Sequence, residues 1–549
     1  MEYLNGWTVP EGVSGDPNLL RFRPSHVRAD ARACPQRLAL KVRPGLSATD
    51  PVPRGRARPS TYALAPVERL LDSRAFDGLD DEAALTAWKA SSSRKLHNAH
   101  ARWAAHAFRH YLRAEQEIDA GLRAEGAVVE PVSHGWARKR TLTVDGTPIR
   151  HEETVTGRRF DGAGIRELRL LRHGSVDGRA PDTAEIGLAA GVVASARRVL
   201  GRAWGPGGYT LGAPHPVERI RVVEIGLADG SHQILFDGTG TEAHVAYTHD
   251  TEERLWHAAR GTGHAPGDDC VGCPLLGRCP AVPSVPGLLG VAEPGPYRKV
   301  WSVKTGRSYV RCPAPTHLDE LRLPRHWESE ETSATKRGRV VHSWLEAQHR
   351  RTPVTACAPP DAEGERGILE AARGLPEPVA RLAVQMTGDH ALTCPITTHS
   401  AALDVRPEET VVAFDPTADV VVIAKADLLY RTERGWTLRE TKTTRRADEG
   451  GVLERYPQMA LGVLLSAHGA LPGGTGGCRV ELERLTASGP VLKEFGVTDP
   501  VIVARARRVI TSLVEEWLKD TTHKEKPGED CGSCSFARWC PGGEKKASR

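Results

Sequence analysis

The sequence predicts an α/β protein of two tandem modules, each a mixed sheet flanked by helices and each clasped by four cysteines. Three observations carry this expectation. At 549 residues the chain exceeds one ordinary domain and suits two or three. A cysteine signature occurs twice: Ala265 to Pro280 and Lys526 to Pro541 both contain Pro-Gly-acid-Asp-Cys-x2-Cys-x5-Cys-Pro, and each follows a distant Cys-Pro pair, Cys34–Pro35 or Cys312–Pro313. Self-similarity on that scale reads as duplication of a whole module. Finally, Val420 to Leu465 offers two β-type runs around a turn at Arg431 to Gly435 and then a helix.

Composition narrows the class. Hydrophobic residues at 40% and charged residues at 26% are ordinary for a globular chain. A net charge of +5 permits local basic patches without itself establishing a nucleic-acid partner. The N-terminus has neither a basic nor an apolar leader region, and no apolar run reaches the length of a membrane span, so a cytoplasmic location without membrane contact is expected. Eleven cysteines in such a compartment point to metal or cluster ligation rather than disulfides. No GxxxxGK[ST] stretch occurs, so any ATP-driven unwinding falls to a partner.

The first module is expected over 1–285. Residues 21–58 carry ten Arg or Lys against two Asp, which reads equally as a phosphate-tracking arm and as a solvated surface. Residues 91–112 form a helical pattern with Leu96, Trp103, Ala107 and Tyr111 on its apolar face, and with His97 and His100 as candidate site histidines. Glu153 to Val176 reads as a hairpin with Asp161 as its acidic residue. Leu170 and Arg172 stand at its strand end, or, in a shifted register, Glu167-Leu168-Arg169. Neither register supplies a carboxylate-x-Lys pair, so this module is expected to be degenerate and retained for DNA or partner binding. Val217 to Gly238 alternates like paired strands, and the stretch from Thr248 to Arg260 reads as a helix leading into Cys270, Cys273 and Cys279. A Pro- and Gly-containing linker is expected at 286–299.

The second module, 300–549, carries the chemistry. Arg337 to His349 is a helix bearing His342, and Val411 to Phe414 begins the sheet, with Glu408 or Glu409 just before it as a further acidic contact. The first run of the hairpin delivers Asp427. On the second, period-two alternation puts Glu440 and Lys442 on one side and Thr441 on the other. Gln458 lies on the next helix, and Val501 to Lys519 aligns Ile502, Val509, Ile510, Leu513 and Trp517 on one face before Cys531, Cys534 and Cys540. Two carboxylates and an ammonium at a sheet edge suit divalent-metal phosphodiester hydrolysis, because hard oxygen ligands hold Mg²⁺ or Mn²⁺ and the ion activates water. The plain alternative is an exposed hairpin with ordinary surface charges. Three clustered thiols plus one distant thiol suit either zinc or a 4Fe–4S cluster; Cys357, Cys394 and Cys478 have no motif around them and are expected as unligated residues.

The order His342, Asp427, Glu440-Thr441-Lys442, Gln458 resembles the PD-(D/E)XK nucleases of the RecB-like branch, over roughly residues 296–545. The cysteines resemble the iron–sulfur version seen in CRISPR-associated exonucleases and some helicase–nucleases. The resemblance implies two restriction-endonuclease-like modules and a Mg²⁺- or Mn²⁺-dependent DNA (exo)nuclease serving repair, recombination or antiviral defence. It implies metal ligation by His342, Asp427, Glu440 and the Thr441 carbonyl, with Lys442 and Gln458 completing the catalytic set. It further implies two 4Fe–4S clusters, on Cys34, Cys270, Cys273 and Cys279 and on Cys312, Cys531, Cys534 and Cys540, with zinc as the alternative occupant. DNA with single-stranded ends, and a helicase or defence-system protein, are the implied partners. The chain departs from the pattern at Gly462, where an aromatic is usual. A non-catalytic DNA-binding or scaffold subunit is the competing expectation.

Overall fold

The computed structural model describes residues 7–28, 33–50, 62–91, 96–144, 146–201, 209–325, 332–398, 404–445, 450–472 and 478–543. It is a mixed α/β protein with several sheets flanked by helices.

The C-terminal half holds a six-stranded mixed sheet organised on the strand Val420–Thr432. Along one edge this strand pairs antiparallel with Asp404–Asp415. Its other edge is shared. Lys299–Trp301 runs parallel to its start, and Gly435–Thr443 pairs antiparallel from Leu428 onward, leaving 423–427 open between them. The chain then passes through the helix Pro457–Ala467 to Arg479–Thr486, which lies parallel to Gly435–Thr443, and Gly489–Phe495 closes the sheet antiparallel. A parallel pair needs such a crossover, since a tight turn cannot join its ends. The crossover helix is apolar nearly all round because the sheet covers one face and the amphipathic helix Pro500–Lys519 covers the other, through Ala506, Ile510, Val514 and Trp517. Leu288 and Leu289, within the stretch expected as a linker, are buried in this same core, and Asp415 accepts the Gly287 and Leu289 amides at 3.0 and 2.9 Å. Between the helix Ser333–His349 and the sheet lies a helical insertion with its own apolar cluster, including Val341, Leu345, Ile368, Ala383 and Met386.

The N-terminal half repeats this order of pairings on two five-stranded sheets. Leu19–Phe22 runs parallel to Thr147–Thr154, which pairs antiparallel with Trp136–Val144. Arg158–Gly162 and Ile165–Arg172 form an antiparallel hairpin. The helix Thr183–Ser195 leads on to the parallel strand Arg219–Gly226, and His232–Gly238 closes antiparallel. Where the C-terminal half has one continuous strand, Val420–Thr432, this half has two strands with a break at Val155 to Gly157. Gly157 has φ +136°, and a Cβ there would meet the Arg169 carbonyl oxygen at 2.5 Å, so only glycine fits the break.

The basic stretch at 21–58 turns largely inward. Arg21 pairs with Glu152 at 2.8 Å, Arg37 with Asp269 at 2.9 Å, and Arg43 donates to the carbonyls of Ala39 and Ala259 at 2.8 Å. Arg32, Arg54, Arg56 and Arg58 lie outside the described residues. Among the described residues no helix is long and apolar enough to cross a membrane.

Each cysteine-bearing lobe rests on the opposite half of the molecule. Cys270 and Val282 pack on Val412, Phe414 and Val421 of the C-terminal sheet. Phe536 and Trp539, beside the second triplet, share a core with Trp103 and Phe108 of the long N-terminal helix Asn98–Ala124.

Candidate active site

The site grows from the open edge of Val420–Thr432. Asp427 sits at the last position before the hairpin pairing begins, and its Oδ2 accepts the Thr441 amide at 2.7 Å. That bond fixes the carboxylate across the hairpin. Strand alternation then does what the sequence predicts. The Thr441 hydroxyl points the other way and donates to Glu483 at 2.8 Å, while Glu440 and Lys442 share the Asp427 side. The Lys442 ammonium contacts Glu440 Oε1 directly and lies 3.7 Å from Asp427 Oδ2. Gln458, on the first turn of the crossover helix, donates to Glu440 Oε1 at 3.2 Å. His342 Nδ1 is 3.6 Å from Asp427 Oδ1.

Of the two acidic candidates before the sheet, Glu408 is the one that joins. The pairs Pro407–Leu428 and Glu409–Ala426 put it directly opposite Asp427, and donor atoms of His342, Glu408 and Asp427 lie within 4.8 Å of one another. Glu409 reaches towards Arg406 instead, at 3.7 Å. Glu408 adopts φ +55°, a left-handed conformation costing about 1–3 kcal/mol in a non-glycine residue and concentrated at functional positions.

A groove opens from Glu440 and Gln458 along the helix Val303–Arg311. Lys304, Arg307 and Arg311 occupy one exposed face of that helix and line the groove, with Lys425 opposite. Sequence reading passed over this helix, although the i, i+3, i+7 spacing of its cations was visible.

Glu440 is 6% exposed. Burial, and then the charge of Asp427, push its carboxyl up to about 7, while Lys442 and Gln458 pull it down. Burial works against the charged form of Lys442, but Glu440 and Asp427 outweigh it and raise its pKa. The sign for stability follows. The folded pKa of Glu440 lies above its unfolded value, so its contribution is fully present below about 4.5 and is lost as pH rises through about 7. A divalent ion held here needs the ionised carboxylate. Any thermal stabilisation by an added divalent ion is therefore expected to grow between about pH 5.5 and 8, on the order of tenfold in affinity per pH unit below the pKa. Titrating melting temperature against metal at several pH values checks this, and Glu440→Gln should flatten the dependence.

Gly462 stands where the crossover helix meets the sheet. A Cβ there would lie 3.3 Å from Leu438 Cδ2 and 3.4 Å from Val480 Cγ1. The position is a packing contact facing inward, so Gly462→Phe is expected to overpack it and cost about 1–3 kcal/mol or more in urea unfolding.

The N-terminal hairpin can be compared position by position. Gly162–Ile165 and Thr432–Gly435 close the two hairpins. Counting from these pairs, Gly157 falls where Asp427 does, Leu170 where Glu440 does, and Arg172 where Lys442 does; Asp161, the candidate acid, falls at Arg431. Asp161 lies 3.5 Å from Arg166 near the hairpin end. Arg172 donates to Glu224 at 2.7 Å and Glu185 at 3.1 Å, and Arg28 makes a bidentate pair with Glu185. Guanidinium groups fill this place. His97 caps its helix by accepting the Ala99 amide at 3.2 Å, and His100 Nε2 lies 2.9 Å from the Ala63 carbonyl oxygen.

Cys34, Cys270, Cys273 and Cys279 line one pocket, and Cys312, Cys531, Cys534 and Cys540 line another. Neither set is drawn into a group of donors within 4.8 Å among the described residues. Backbone amides point at the sulfurs: Gly267 to Cys270 and Gly528 to Cys531 at 3.4 Å, and Lys526 to Cys312 at 3.3 Å.

The C-terminal half thus brings two carboxylates, an ammonium and a side-chain amide together at an open sheet edge. A family model described as PD-(D/E)XK nuclease superfamily, whose members are generally metal-dependent nucleases, matches residues 300–541. No curated protein matches the chain. Among solved structures, one titled "Crystal structure of SSO0001" aligns at 14% identity over 43% of this chain and 94% of its own, with a TM-score of 0.19.

Proposed function

We propose that the C-terminal half is a Mg²⁺- or Mn²⁺-dependent deoxyribonuclease of the RecB-like branch, acting on DNA with single-stranded ends in repair, recombination or antiviral defence. The observation that carries this reading is the meeting of Asp427, Glu440 and Lys442 at an open sheet edge beside a groove lined by Lys304, Arg307, Arg311 and Lys425. The donor set suits a hard cation. Asp427, Glu440 and the Thr441 carbonyl offer oxygens, His342 and Glu408 stand beside them, and Lys442 already places a positive charge against both carboxylates. When bound, the ion supplies Lewis acidity and an activated water.

The chain's own groups do the rest. Lys442 donates to the attacking water or to the phosphate oxygen gaining charge. Gln458 holds Glu440 and offers its amide to the substrate. The groove cations neutralise successive phosphates and position the strand. Lys304→Ser/Arg307→Ser/Arg311→Ser is expected to raise KM on the order of tenfold or more at moderate salt with little change in kcat, and to lower the salt dependence of DNA binding. Cleavage of end-labelled single- and double-stranded DNA by anaerobically purified protein, beside Glu440→Ala, tests the activity and reads its polarity.

The shared order of pairings and the paired cysteine signatures support a tandem duplication with a degenerate N-terminal copy. The arginines Arg28 and Arg172 on Glu185 favour a non-catalytic, gripping role for that copy. We assign a 4Fe–4S cluster to each four-cysteine set. The one-plus-three spacing of the thiols and the amides that donate to Cys270, Cys531 and Cys312 support this reading. Iron and sulfide content of the anaerobic protein tests this.

A further inference from the structure

A separate group of donors lies behind the active site. His349 ends the helix that carries His342; Cys357 follows in a loop; His390 opens a short turn in the helical insertion; Cys394 stands one turn later. All four are buried, and one donor atom of each lies within 4.8 Å of all the others. His349 Nε2 is 3.4 Å from His390 Nε2, 3.4 Å from Cys357 Sγ and 3.9 Å from Cys394 Sγ. A tetrahedral ion with metal–nitrogen bonds of about 2.0–2.1 Å and metal–sulfur bonds of about 2.3 Å sets such edges at about 3.4 Å between nitrogens and about 3.6 Å between nitrogen and sulfur. The three edges that meet at His349 Nε2 lie within about 0.3 Å of that solid.

We propose that His349, Cys357, His390 and Cys394 form a structural Zn²⁺ site. Four protein ligands, two sulfur and two nitrogen, with no open position, are the donor set of a closed zinc site. Two thiolates balance the ion's charge in a buried place where an unbalanced charge would be costly. The surroundings already orient the ligands. Glu483, 0% exposed, lies 2.7 Å from His390 Nδ1, which holds the imidazole with Nε2 towards the other donors. The Cys357 amide donates to Cys394 Sγ at 3.5 Å.

The site ties the insertion to the catalytic hairpin. Glu483 also accepts the Thr441 hydroxyl at 2.8 Å, and the Thr441 amide holds Asp427. Zinc loss would loosen the helix of His342 and the strand of Asp427 together. The inference stands whether or not the protein cuts DNA, and it is independent of the two four-cysteine sets.

Metal content of the full-length protein is the first test. The wild type should hold about one zinc per chain that Cys357→Ser/Cys394→Ser loses and Cys531→Ser/Cys534→Ser keeps. Because the first variant could misfold, two measurements use folded protein. In the wild type, Cys357 and Cys394 should resist alkylation until a strong chelator is added. Co²⁺ exchanged into the wild type should give the visible absorption of a tetrahedral thiolate–imidazole site, and His390→Cys should keep the ion while shifting that spectrum. Zinc content unchanged by Cys357→Ser/Cys394→Ser, equal alkylation with and without chelator, or a Cys357–Cys394 disulfide in the purified protein would overturn the proposal.

Discussion

Lys442→Met is expected to lower kcat by about 10²–10⁴ while leaving the protein folded and still able to bind the divalent ion. Methionine keeps much of the unbranched stem, so packing is preserved and the ammonium alone is removed. In the wild type that ammonium contacts Glu440 and lies 3.7 Å from Asp427, so it would compete with a metal ion proposed to bind the same carboxylates. Its removal should hold or tighten Mn²⁺ binding, read as metal-dependent thermal shift, even as turnover falls. Glu440→Ala should lose both, because it would remove one of the proposed ligands. A Lys442→Met protein cutting DNA within about threefold of wild type would place the catalytic donor elsewhere.

Arg439→Leu is expected to cost about 3–5 kcal/mol of stability in urea unfolding. Arg439 is 1% exposed, bonds Glu481 at 2.6 and 2.8 Å, donates to the Thr393 carbonyl at 2.6 Å and lies over the Tyr430 ring. Leucine would leave Glu481 buried with the Tyr430 hydroxyl, 2.9 Å away, against its charge. Arg439→Leu/Glu481→Leu should recover most of the loss, since it is the orphaned charge that costs. Single and double variants of equal stability would show that packing, and not the ion pair, sets the effect. Arg169 stands at the matching hairpin position of the N-terminal half, 0% exposed, and is paired differently, with Glu167 of its own strand and Asp119 of the long helix at 2.6 Å.

What the sequence made legible was local. Alternation placed Glu440 and Lys442 together and Thr441 opposite, and the structure has them so. Helical periodicity located the helices that became Asn98–Ala124, Ser333–His349 and Pro500–Lys519, the first running well beyond the predicted end. The strand-end alignment of Leu170 and Arg172 matches the hairpin register, whereas Asp161 lies one residue from the closing pair and Asp427 five, so Gly157 takes the Asp427 position.

These features are legible because alternation and helical spacing involve residues only two to four apart, so the pattern is written within one element. The remainder depended on contacts between distant elements. The opposition of Glu408 to Asp427 is a matter of sheet register, and the basic groove forms because a helix at 303–311 is carried to an edge made at 423–440. The cysteine spacing could not say that each lobe would lie on the other half of the molecule. Nor could it show that Cys357 and Cys394, which have no motif around them, would meet His349 and His390 in a buried cluster. By itself the sequence determined which side chains share a face of a strand or helix. The tertiary structure decided which faces meet, because burial of apolar surface and satisfaction of buried charges are settled by the whole chain at once.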